Sequence, residues 1–122
     1  MPAPNLILAA TINGKADPFA LSSTVATAIL TNSAASGQLK RVTSLLLSNT
    51  DTSARTCIVK YWSAASGGTG YDIGGGTFSV PANSVVEAIV GGPINLEEDR
   101  RIELTAGTAN TISGVVSYDQ IS

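Results

Sequence analysis

The chain has 122 residues, of which 43% are hydrophobic and 13% charged, with seven Lys and Arg against nine Asp and Glu. That apolar content excludes a disordered protein, and the slight negative balance excludes nucleic-acid binding by phosphate neutralisation, which needs a basic face. A single cysteine, Cys57, excludes an intramolecular disulfide framework, and the lack of histidine removes the commonest general base and transition-metal ligand.

Length points to one domain, residues 1–122, with residues 1–24 forming an N-terminal arm and a first strand. The charged share is about half that of ordinary soluble domains. Part of the surface is therefore expected to lie against a partner. Met1-Pro2-Ala3-Pro4 has no basic residue before Leu6-Ile7-Leu8, and no apolar run reaches the length of a membrane span. The expectation is a protein folded in a reducing cytoplasm, without a membrane.

In chain order, residues 1–5 are Pro-rich and read as an extended arm, and Leu6 to Ile12 reads as a first strand. Asn13-Gly14 and Asp17-Pro18 are turn signals, which leaves Phe19 to Ser23 irregular. Val25 to Thr31 fits both a short helix and a β-branched strand, and the close turn clusters on either side favour the strand. Leu39 to Asn49 is the longest strand, apolar on both faces at Val42, Leu45, Leu46 and Leu47, as in the middle of a sandwich. Arg55 to Trp62 returns, with Cys57, Val59 and Tyr61 on one face and Ile58 and Trp62 on the other.

Ser63 to Gly76 is a small-residue tract read as an exposed loop or long hairpin tip, with Tyr71-Asp72-Ile73 as a brief strand inside it. Beyond it, Phe78 and Val80 alternate up to Pro81, and Val85 to Val90 starts a new run that ends at Gly91-Gly92-Pro93. Arg101 to Ala106 alternates polar with apolar, and Ile112, Val116 and Tyr118 close the chain on one face. About eight or nine antiparallel strands at this spacing predict an all-β protein, a single β-sandwich or jelly-roll-like domain.

Chemistry-bearing motifs are few. No Ser-His-Asp or Cys-His site can form within one chain, and Cys57 lies mid-strand where a small buried hydrophobe belongs. No catalytic residue, metal or cofactor is expected. Glu97-Glu98-Asp99 is the one acidic cluster, readable as a Ca²⁺ ligand set or as a solvated turn, and Arg100-Arg101 directly after it favours the turn. The glycine tracts of residues 67–70 and 74–76 have neither the Lys nor the following helix of a phosphate loop. Most of the six aromatics belong to the core, and Tyr71, flanked by glycine, is the candidate exposed contact.

Val80-Pro81-Ala82-Asn83-Ser84, Ile94-Asn95-Leu96-Glu97-Glu98, Ile102-Glu103-Leu104-Thr105-Ala106 and Val115-Val116-Ser117-Tyr118 resemble small virion structural proteins of tailed bacteriophages, especially cyanophages. Thr43 to Asp51, a strand ending in an Asn-x-Asp turn, is similar as well. The chain departs from that pattern where Asp99-Arg100 replaces a Gly-Asp pair, although Asp tolerates the left-handed backbone better than most residues. The resemblance implies a β-sandwich subunit on the capsid exterior, a cement or decoration protein bound to the major capsid protein and to itself, frequently as a homotrimer. A tail, neck or head-fibre component and a carbohydrate-binding module for host recognition are the alternatives. Leu6, Ile7 and Leu8, in an arm that adds a strand to a neighbour's sheet edge, and Tyr71 are the expected partner contacts.

Overall fold

A computed structural model describes residues 11–122. Nine strands run β1 (Ile12–Ala20), β2 (Thr27–Asn32), β3 (Leu39–Asn49), β4 (Arg55–Trp62), β5 (Gly70–Val80), β6 (Ser84–Glu87), β7 (Ile94–Leu96), β8 (Arg100–Ala106) and β9 (Ile112–Ile121). All the pairings are antiparallel, and no helix occurs among the described residues.

The strands form two sheets, β1-β9-β3-β6 with β7 also on β3, and β2-β8-β4-β5. β6 pairs with the C-terminal half of β3 and β7 with its N-terminal end, so together they fill one edge position. Apart from β4–β5 and β6–β7, consecutive strands alternate between sheets, in the interleaved order of a jelly roll. The core lies between the sheets, built from Val42, Leu45 and Leu47 of β3, Val59 of β4, Ile102 and Leu104 of β8 and Val116 of β9.

Two buried asparagines tie the sheets together at their margins. Asn49 donates to the carbonyls of Ser53 (2.8 Å) and Val80 (3.0 Å), and Asn32 donates to those of Gln38 and Leu96, both at 2.9 Å. Each side-chain amide thus satisfies one buried backbone acceptor, Leu96 for Asn32 and Val80 for Asn49, and one at the margin of the core. Asp99 sits at φ 60° and Asn83 at φ 53°, so the turn carrying Asp99-Arg100 does adopt the left-handed conformation.

Besides the Val85 to Val90 run, whose strand is only Ser84–Glu87, three segments differ from the sequence reading. Asn13-Gly14 and Asp17-Pro18 make no turns: residues 12–20 run continuously against β9, from Ile12 opposite Ile121 to Ala20 opposite Ser113. β1 is an edge strand, and an edge needs ladder N–H groups only at alternate residues, so proline is tolerated there. The arm and first strand expected within residues 1–24 therefore become a strand over Ile12–Ala20, while Leu6, Ile7 and Leu8 lie outside the described residues. Secondly, the tract of residues 63–76 is a loop only to Thr69. Its remainder belongs to β5, where residues 73–76 stand opposite the single Val59 as a wide bulge. Thirdly, β3 is not buried on both faces. A shift between Val42 and Ser44 keeps Val42, Leu45 and Leu47 inward, while Leu46 points out and is 39% exposed.

Candidate interaction surface

Antiparallel partners share a face and alternate residues change face, so the register maps the outer side of the five-stranded sheet row by row. With Val116 and Tyr118 inward on β9, the outward rows are Pro18, Val115, Leu46 and Glu87, then Ala16, Ser117 and Ser44. Towards β1's end the row is Ala20, Ser113, Ser48 and Val85, and towards its start it is Ile12, Ile121 and Leu39. Leu39 and Ile121 are buried yet stand outside the core cluster, as their outward parity requires.

Three of the six exposed large hydrophobic residues among the described residues lie here, while Val25, Tyr71 and Val90 lie elsewhere. Ile12 (60%), Leu46 (39%) and Val85 (57%) all lie on this face, and none of the others among the described residues lies on the outer face of the four-stranded sheet. Charge on the apolar face is confined to Arg41, Asp119 and Glu87. Arg41 and Asp119 pair with each other at 3.0 Å, and Glu87 accepts from the Ser44 hydroxyl at 2.6 Å and the Leu45 N–H at 2.7 Å.

The outer face of the four-stranded sheet is built around Arg101. Its guanidinium lies 4.2 Å from the ring centre of Trp62, pairs with Glu103 at 2.7 Å, and donates to the carbonyls of Ala64 (2.6 Å) and Gly67 (2.9 Å). Arg100 donates to the Ser63 carbonyl at 2.9 Å, and the Asp99 carboxylate accepts from the Ala65 N–H at 3.0 Å. The loop of residues 63–69 is therefore fixed to the start of β8. Sequence reasoning took this loop for a free tip, because its anchors lie more than thirty residues away.

The remaining expected sites fall apart spatially or become structural. Glu98 accepts from the Gly37 N–H, whereas Asp99 serves the loop, and among the described residues no group of three or more metal-binding side chains forms. Cys57 is fully buried, and desolvation pushes its thiol up from 9.0 to about 11, far from a reactive thiolate at neutral pH. Tyr71 is 60% exposed on β5 opposite Tyr61, whose hydroxyl donates to the Asn95 carbonyl at 2.9 Å across the sandwich. Two shallow hollows share Thr50 and have neutral hydroxyl- and amide-rich linings, the first including Asn110 and Thr111, the second Asn83 and Ser84.

No family model, characterised protein or solved structure matches the chain.

Proposed function

We propose that the chain is a structural subunit of a bacteriophage virion, a cement or decoration protein on the capsid exterior that bridges neighbouring major capsid proteins. The observation that carries this reading is the apolar outer face on one side of a jelly roll, open at Ile12, Leu46 and Val85. A fold alone does not define a function, and the same architecture serves capsid and lectin domains. The face adds a surface suited to permanent contact, in a chain whose charge is low throughout. The resemblance of residues 80–84, 94–98, 102–106 and 115–118 to small virion proteins supports the same reading. An oligomer engaging a capsid at several points tolerates weak individual contacts, because each later contact forms at high effective concentration.

Copy number tests the proposal. Quantified protein bands from purified particles should show hundreds of copies per virion. A dozen or fewer would move the protein to the tail, neck or head fibre. Tyr71, isolated and 60% exposed on a sheet edge, favours one second reading, carbohydrate recognition at a host-binding tip. Binding of host polysaccharide that Tyr71→Ala abolishes would establish that reading in place of the first.

A further inference from the structure

We infer that a second copy of this chain packs its five-stranded sheet face to face against this one. The inference rests on the proposed function only in treating the outer face as a contact surface, and it holds wherever the protein works. Three observations select a second copy over another occupant.

The first is area. β1 has nine residues and β9 ten. At about 3.3 Å per residue and about 4.8 Å between strands, four strands present a face of roughly 30 by 19 Å. The end of that face at Leu39 and Ile121 is already buried, so each partner contributes less than about 600 Å², the size of a weak, concentration-dependent contact. At the middle of the face, Ala16, Ser44 and Ser117 let two sheets approach to about 10 Å.

The second is charge. Arg41 and Asp119 neutralise each other, which leaves Glu87, held by the Ser44 hydroxyl and the Leu45 N–H, as the remaining charge of the face. A two-fold axis across the strands at Ser44 and Ser117 sets the Ile12 row against the Val85 row and brings Arg41 towards Glu87 of the other copy. Ile12 then lies over Ala20 of the other copy, and the Arg41 guanidinium offsets the charge of Glu87 in a self-complementary contact.

The third is the state of the sheet edges. β1 carries Lys15, Asp17 and Pro18, β5 carries the bulge at residues 73–76, and the β6 and β7 edge is split by the turn between them. Such features oppose strand addition, so association is directed to the face. Face pairing of this kind makes a dimer, in contrast to the trimer implied by the resemblance.

Sedimentation velocity of the full chain over a micromolar concentration series is the test. The wild-type chain should approach twice its 12.4 kDa mass. Leu46→Glu combined with Val85→Glu should raise the concentration for dimerisation at least tenfold, with Trp62 fluorescence unchanged. Val25→Glu, an exposed residue off the face, should leave it unaltered. Ser117→Cys should form an inter-chain disulfide on oxidation, a readout that survives if the double variant does not fold. A wild-type chain monomeric at every concentration would overturn the inference. So would a dimer or trimer that persists in the folded double variant, or a Ser117→Cys chain that stays unlinked. Failure of these tests leaves particle copy number untouched, and a low copy number leaves the dimer untouched.

Discussion

Along β8 the outward residues are Arg101, Glu103 and Thr105, while along β9 they are Ser113, Val115, Ser117, Asp119 and Ile121. The two strands have the same geometry and occupy the second position in their sheets. On the four-stranded sheet, polar groups are consumed internally: Arg101 is satisfied by Trp62, Glu103 and the loop carbonyls, and Lys60 pairs with Asp72 at 3.6 Å. On the five-stranded sheet, Ile12, Leu46 and Val85 stay open to water, whereas Leu39 and Ile121 at one end of the face are buried. One face stabilises the subunit itself. The other is left for a partner.

The largest predicted effect tests the first half of that contrast. Arg101→Met should destabilise the subunit by about 3 kcal/mol in urea unfolding, because it strands the partly buried Glu103 carboxylate and two loop carbonyls. Arg41→Met on the opposite face removes a half-exposed pair and should cost less than about 1 kcal/mol. Equal losses would erase the distinction. Next, Asn49→Leu should cost about 2 kcal/mol by leaving the Ser53 and Val80 carbonyls without donors. A variant as stable as wild type would show that water replaces the amide.

A pH effect follows from how β1 is attached to the sheet. The Tyr118 hydroxyl donates to Asp17 of β1 at 2.8 Å, and burial together with that carboxylate pushes Tyr118 up from 10.0 to about 12. Folding thus favours the protonated phenol, as it favours the protonated Cys57 thiol. Their contribution is complete below the unfolded-state values and is lost as pH rises through the folded ones. Stability should therefore decline from about pH 9 towards pH 12, and Tyr118→Phe should flatten the upper part of the decline. Unfolding midpoints that stay level to pH 12 would contradict this. The smallest effect is Asp72→Asn, which should change stability by less than about 0.5 kcal/mol, since its partner Lys60 is largely solvated. A larger loss would mean that exposed pairs also hold the four-stranded sheet together.

The sandwich was legible where alternation and turn chemistry agreed. β3 and β4 begin and end where the residue pattern places them, and the Asp99 turn takes the left-handed backbone its residue permits. β1 was hidden by two turn dipeptides, since a local signal cannot reveal that an edge strand tolerates Asn13-Gly14 and Pro18. The bulge of β5 was hidden by its glycines, which read as loop until β4 supplies the register. Leu45-Leu46-Leu47 was the clue to the contact face. An apolar residue on each side of a strand shows that both faces want cover, but not whether a second sheet or a second molecule supplies it. Arg101 was illegible for another reason: Trp62 and the loop carbonyls that bury it come from 34 to 39 residues away.

Hydroxyl-radical footprinting of the intact chain, dilute and then concentrated, measures the contrast between the faces most directly. Labelling of Leu46, Val85 and Pro18 should fall on concentration while that of Tyr71 and Val25 holds steady. Labelling unchanged at all five, or protection confined to the four-stranded side, would contradict the division of labour between the two sheets.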